Sequence, residues 1–410
     1  MNDGGTMDLR PEMSIGERLA VARRYRGLNQ EVLAERAGVH VDTIRKLEQG
    51  QRHSARFSTI SALANALGLE TPALLLGVVH QEEREDPHLL SLRRALLPVG
   101  DFLPSADDDA EDTAPGITAV RRSVEDAWGS YHRGEFAELC EMVPRLLTEA
   151  RITVREHTNG TAAQANGVLA KTYQLGAHLL ARMQMEDLAL LSLDRARAAA
   201  EASGDPLLPA VITNSVAWIF MRTGRLGDSA HVAIAMADSI EPTFRSSADS
   251  HVAVYGGLLL SAAVADARHR RYDTARDLLN VAQAAAQRIG DDSTDRWVSV
   301  FGPTSVAMQA VSVETAAGEW GAALEAARRV PMTGKTPSSW NATFLLDVAQ
   351  AQMETYRDID ATETLRAVRR SAPEWLRRAG LAKVVVRELL GRPSPPRGIY
   401  ALADFVGVAH

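Results

Sequence analysis

Residues 14–50 read SIGERLAVARRYRGLNQEVLAERAGVHVDTIRKLEQG, and three short helices parse out of them with little freedom. Ser14 is placed to cap the first, whose Ile15, Leu19 and Ala22 share one face before Gly27 ends it. Asn29 caps a second helix, Gln30–Ala37, which turns Leu33, Ala34 and Ala37 inward. The small Ala34 lets the next helix cross closely. Gly38 supplies the positive φ that a tight turn demands, and Val39 plugs the core. His40 then starts a third helix, with Ile44 and Leu47 inward and Asp42, Arg45, Lys46 and Gln49 outward, closed by Gly50. Two more helices, at 58–67 and 72–76, are expected to cover this core.

Charge sets the segment apart. The chain of 410 residues carries −7 overall, yet residues 14–76 hold nine Arg/Lys against six acids, so this stretch is +3 on an acidic body. Screening lets a locally basic module bind phosphate regardless of distant acids. Cys140 is the only cysteine, which excludes a disulfide framework and a cysteine metal cluster. The eleven histidines do not cluster at ligand spacing, so no metal and no cofactor is expected. Residues 1–13 lack the basic start and apolar stretch of a signal peptide. The longest apolar run, about Gly256–Ala265, falls short of the ~20 residues of a membrane span. A cytoplasmic protein without membrane contact is the expectation. Four lysines beside forty-one arginines point to a GC-rich genome.

Beyond the basic module, a short amphipathic helix is expected at about Pro87–Leu97, then an Asp- and Pro-rich solvated linker at 101–116. From Thr118 onward the pattern is helix after helix. Five turns, at 133–136, 185–187, 224–228, 270–273 and 318–320, recur every 40 to 51 residues. Repeats of helical pairs at such a period indicate an α-solenoid. The expected organisation is a leader (1–13), a compact helical domain (14–77), a connecting helix and acidic linker (78–117), and a helical-repeat sensor and dimerisation domain (118–410). The fold class is all-α, with five helices followed by the solenoid.

The order of elements in 14–50, with the helices that follow it, resembles the XRE family of phage-repressor-like helix-turn-helix regulators over about 63 residues, 14–76, without a gap. Trp128-x2-Tyr131-x2-Gly134-x-Phe136 and Gly318-x-Trp320-x2-Ala323 resemble tetratricopeptide repeats, with a longer period and a degenerate consensus. The resemblance implies that the third helix enters the major groove of double-stranded DNA while the second crosses the backbone. His40, Val41, Asp42, Thr43 and Lys46 would then face the bases: Lys46 donating to guanine, Asp42 accepting from cytosine, Val41 on a thymine methyl. It further implies that Gln30 anchors a phosphate and that Arg45 clamps one. Arg52 and His53 would touch the backbone, and Arg56 would reach the minor groove. Arg23 and Glu48 match a family pair that forms a partly buried salt bridge. Regulators of this type bind palindromic operators as homodimers; the 87–97 helix or the solenoid would supply the dimer contact.

Helix-turn-helix plus tetratricopeptide-like array resembles two groups, the peptide-pheromone regulators of Gram-positive bacteria and the XRE regulators with such repeats in actinomycetes. The arginine-heavy composition leans toward the second. A peptide or small-molecule effector on the concave face is implied, with Asn166, Asn214 and Asn341 as candidates to clamp it; local bonding is the blander role for each. The tryptophans 128, 218, 297, 320, 340 and 375 are expected as knobs in the core. No catalytic motif appears, and Arg151-x5-His157 alone does not make one. The function expected is a transcription regulator that binds specific DNA sequences. The alternative is an interaction scaffold whose solenoid docks a protein partner, with the DNA-binding head as tether.

Overall fold

The computed structural model describes residues 13–52, 54–67, 87–99, 116–157, 160–243, 245–292, 300–331 and 336–410. Regular secondary structure among them is entirely helical. The chain forms two units, residues 1–86 and 87–410.

The first unit holds α1 (Ile15–Tyr25), α2 (Gln30–Ala37), α3 (Val41–Glu48) and α4 (Phe57–Leu67). The helix expected at 72–76 lies outside the described residues. Each start follows from a cap. Glu17 N donates to Ser14 Oγ at 3.2 Å while Ser14 N donates to the Glu17 carboxylate at 2.7 Å, which satisfies two otherwise orphaned amides. Val32 N donates to Asn29 Oδ1 at 2.7 Å. Gly38 ends α2 with φ at 64°. Leu19, Leu33, Ile44, Leu47 and Leu63 are fully buried between the four helices. A methyl group at Gly16 would stand 1.8 Å from the Leu47 carbonyl oxygen, so only glycine lets α1 lie against the end of α3.

The second unit begins with α5 (Pro87–Leu96), then runs in pairs. These are α6 (Ile117–Arg133) with α7 (Phe136–Glu156), α8 (Ala162–Arg182) with α9 (Glu186–Ala202), and α10 (Leu208–Arg222) with α11 (Leu226–Ser239). They continue as α12 (Asp249–Arg268) with α13 (Tyr272–Ile289), α14 (Pro303–Ala317) with α15 (Trp320–Arg328), and α16 (Ser338–Glu354) with α17 (Asp358–Ser371). Three short helices follow: α18 (Pro373–Arg378), α19 (Gly380–Leu390) and α20 (Ile399–Val406).

One device turns the chain inside every pair. A single residue takes positive φ: Gly134, Gln184, Gly224, Arg270, Gly318 or Tyr356. The next amide then reaches back to the helix it left: Glu135 to Ser130, Met185 to Leu180, Arg225 to Phe220, Arg271 to Asp266, Glu319 to Glu314 and Arg357 to Gln352, all at 2.8–3.0 Å. This six-to-one bond is the Schellman motif, which satisfies carbonyls that the helix end would orphan. Five of these turns match those read in the sequence. The sixth, at Tyr356, carries no turn residue and is visible only in the structure.

Helix α5 differs from its expected role. Leu89, Leu92 and Leu96 are buried in the core of the second unit, against α7. Its apolar face is thereby used up, so it is not a free dimerisation helix. Helix α12 is long and apolar enough to cross a membrane by length and composition, but 83% of that stretch is buried within the unit, which makes it a core helix.

The run of pairs also closes on itself, where an open concave face was expected. Trp375 of α18 lies 5.6 Å from Tyr131 and 5.3 Å from Phe136, centroid to centroid. A methyl at Gly134 would come within 2.7 Å of its ring. His132 Nδ1 and Ser339 Oγ, 2.8 Å apart, tie α6 to α16. The last pairs meet the first, and the leading helices of the pairs surround a central cavity.

Candidate nucleic-acid interface and central cavity

Helix α3 divides its eight residues by face. Ile44 and Leu47 are buried, while Asp42, Arg45 and Lys46 are exposed, with His40 exposed just ahead of them. Val41 and Thr43 are half-buried. His40 caps the helix, its Nδ1 accepting from Asp42 N at 3.3 Å. Arg45 is already engaged: it donates to Glu31 at 2.8 Å and stands 3.6 Å from Asp42. Lys46 makes no ion pair among the described residues. Arg52 and Arg56 are exposed on either side of the loop that leads into α4; His53 lies outside the described residues. The result is a polar, net cationic surface mounted on a fixed core.

Behind that surface sits a second polar group. Arg23 of α1 makes a bidentate bond to Glu48 of α3, at 2.8 and 2.9 Å. Gln30 Nε2 donates to the same carboxylate at 2.7 Å. Burial, the largest single influence, pushes the Glu48 carboxyl up, but the bonds from Arg23 and Gln30 outweigh it and hold the group below 4.5. The hydrogen bond to Glu48 likewise raises Arg23. With both partners mostly buried, the pair locks the first and third helices together. It also fixes the Gln30 amide at the start of α2, leaving the second Nε2 proton unused.

The central cavity of the second unit has a volume of about 270 Å³. Leading helices of all six pairs contribute to it, together with Trp375 of α18. Trp128 and Tyr131 of α6, His178 and Arg182 of α8, and Trp218 of α10 form one wall. His178 stacks on Trp218 with centroids 4.7 Å apart. Its Nδ1 lies 3.3 Å from the Tyr131 hydroxyl and its Nε2 3.0 Å from Ser215 Oγ. Burial drives its pKa well below 6.5, reinforced by Arg182 and Lys171. The ring is therefore neutral, donating from one nitrogen and accepting at the other, and it bridges Tyr131 and Ser215.

The lining also carries a charge pair of another kind. Asp347 of α16 is buried and faces Arg268 of α12. Burial pushes its carboxyl up to about 6, with Arg268 and a hydrogen bond from Ser312 only partly compensating. Arg268 keeps an exposed surface although packed protein surrounds it, as a side chain on a cavity wall does.

The three asparagines separate. Asn166 donates to the Ala162 carbonyl at 2.9 Å and Asn341 to the Thr336 carbonyl at 3.1 Å, both local bonds. Asn214 alone lines the cavity, and its Oδ1 has no partner among the described residues. The tryptophans take the expected core role and also face the cavity: Trp128 and Trp375 are buried in the core, Trp218 and Trp340 pack against core residues, and all four line the cavity. Trp320 packs in a separate small core with Val311 and Phe344, and Trp297 lies outside the described residues. Sequence reasoning missed Arg182, His178, Arg268 and Asp347. A signal existed in a charged or polar residue on the apolar stripe of each leading helix.

Residues 14–76 match the family described as a helix-turn-helix domain, and they contain all of α1–α4. This segment is a helix-turn-helix domain. No curated protein matches the chain. Among solved structures, the crystal structure of Bacillus thuringiensis PlcR in complex with the peptide PapR7 and DNA aligns over 87% of this chain and 98% of that one, with 12% identity and a TM-score of 0.38.

Proposed function

We propose that this protein is a transcription regulator that binds specific DNA sequences through α3 and takes an effector in the central cavity of its second unit. The exposed, cationic face of α3, mounted on a helix-turn-helix core, carries the reading. A helix so presented fits the major groove, with its first half on base edges. In this reading His40, Val41, Asp42, Thr43 and Lys46 meet bases. Gln30, Arg45, Arg52, His53 and Arg56 meet the sugar-phosphate frame, Arg56 from the minor-groove side. Arg45 exchanges Glu31 for phosphate on binding. Too few contacts come from one such head to mark a unique genomic address, so the protein acts in the cytoplasm as a homodimer on a palindromic operator.

The cavity supports an effector role over a docking scaffold. It is concave, aromatic and furnished with polar groups, the character of a small-ligand site. It also lies where the last pairs meet the first, so a ligand held there bridges both ends of the stack. Any ligand that binds one closure of the stack better than another shifts the population between them. Helix α5, packed on α7, belongs to this unit and leads back along the chain to the DNA-binding head.

Genomic footprinting of wild type against a Lys46→Ala/Arg56→Ala double variant tests the DNA-binding claim. A short palindromic motif that disappears in the variant is the expected result. Each lost contact should weaken operator binding by about 1–3 kcal/mol and flatten its salt dependence. Absence of an enriched motif, or enrichment indifferent to the two substitutions, refutes the reading.

A further inference from the structure

Three guanidinium groups line the cavity, and only one has a carboxylate to itself. Arg222 is spoken for: it donates to Glu186 at 3.0 Å and to the Ala181 carbonyl at 2.9 Å. Arg182 donates Nε to the Tyr131 hydroxyl at 3.2 Å and lies over Trp375, 4.1 Å from the ring centroid, and Trp218, 5.1 Å away. Among the described residues it forms no ion pair. Arg268 likewise has no hydrogen bond or ion pair among them, and its nearest compensation is the field of Asp347. Burial lowers the pKa of both groups, and Arg222 lowers each further, so the three cations share one electrostatic neighbourhood. His178, being neutral, adds no charge. The cavity is therefore net positive even with Asp347 ionised.

Arg182 is half-buried and Arg268 is exposed on the cavity wall; neither guanidinium has a carboxylate bound to it among the described residues, and both can take an anion that enters there. Arg182 lies over two indoles and spends Nε on Tyr131, and its two terminal nitrogens make no hydrogen bond among the described residues, which leaves them for a planar anion. The rest of the wall is aromatic, which favours a flat ring by stacking. Volume narrows the choice again. About 270 Å³ is below the ~300–1,000 Å³ of sites for drug-sized molecules, which favours a small molecule over a peptide of several residues as the occupant.

We propose that the cavity binds a compact aromatic carboxylate, its carboxylate held by the cationic lining that Arg182 and Arg268 provide and its ring among the wall tryptophans. The assignment rests on the effector reading above and gives it a chemical class. Asn214, with its free Oδ1, is placed to accept a hydroxyl or amine carried by that ring.

The test uses the full chain, titrated by calorimetry with benzoate, salicylate and cinnamate and with the matching neutral amides. The acids are expected to bind at least about tenfold more tightly than their amides, since a charge-assisted bond to arginine exceeds the roughly 1.4 kcal/mol that tenfold represents. Arg268→Gln should abolish that preference while circular dichroism stays unchanged, and Arg182→Gln provides a second variant should the first fail to fold. Equal binding of acid and amide, a preference that survives both substitutions, or no acid binding below about 1 mM overturns the proposal. Operator affinity is measured in the same samples. Acid binding that leaves it untouched supports the ligand class and removes the effector role, so the two readings fail separately.

Discussion

Replacing Asp347 with asparagine should stabilise the second unit, and by an amount that depends on pH in a defined way. The carboxyl titrates near 6 in the folded unit against 3.8 when free, chiefly because burial penalises its charge. At about 1.4 kcal/mol per pH unit, the ionised side chain costs the folded state about 3 kcal/mol relative to its protonated form. Between those two values the folded chain holds a proton that the unfolded chain has released, so stability falls as pH rises through the window. Asparagine keeps the shape and the Ser312 acceptor but cannot ionise. The Asp347→Asn advantage should be about 1 kcal/mol at pH ~4.5 and grow to about 3 kcal/mol by pH ~8. Urea unfolding followed by tryptophan fluorescence is the assay, because all six tryptophans lie beyond residue 86 and report only the second unit. A gap that does not change with pH, or a variant less stable at pH ~8, would mean that attraction to Arg268 outweighs burial.

Other substitutions probe the remaining features. Arg23→Gln strands a mostly buried Glu48 and should destabilise the helix-turn-helix unit by about 3–5 kcal/mol, read by circular dichroism of the isolated melting transition. Because Glu48 is held below 4.5, the contribution of this pair is present above that value and should fade as pH falls through the carboxylate range; a pH-independent loss would argue against it. Tyr356→Gly relieves a non-glycine residue at positive φ, 60°, and should add about 1 kcal/mol to the stability of the second unit. A loss of stability there would show that the exposed ring, which lies 4.9 Å from Arg392, matters more than the backbone.

The helix-turn-helix was legible because its signals are local. Ser14 with Glu17, Asn29 with Val32, and Gly38 each fix a helix end within four residues, and the apolar spacing does the rest. Turns in the second unit were legible where glycine, an acidic pair or the polar run at 270–273 broke the apolar pattern, and the turn at Tyr356, which has no glycine, went unread. The cavity could not be read. Its wall comes from helices separated by whole repeats, and each tryptophan in isolation has the pattern of a packing residue. Closure depends on Trp375 meeting Gly134, a contact between residues that share no periodicity. Of the three asparagines, Asn166 and Asn341 take the local bonds that were their blander role and Asn214 lines the cavity, whose charge sits on arginines and one aspartate.

The two faces of α3 have separate fates. Ile44, Leu47 and Glu48 face the four-helix core or the Arg23 clamp, while His40, Asp42, Arg45 and Lys46 stand in solvent, bonded at most to one another or to Glu31 and packing nothing into the core. Duplicated copies of such a gene could therefore drift apart in their outward residues with the core left intact, each copy acquiring a new genomic address. The inward residues would be shared heritage, and the outward ones a record of descent.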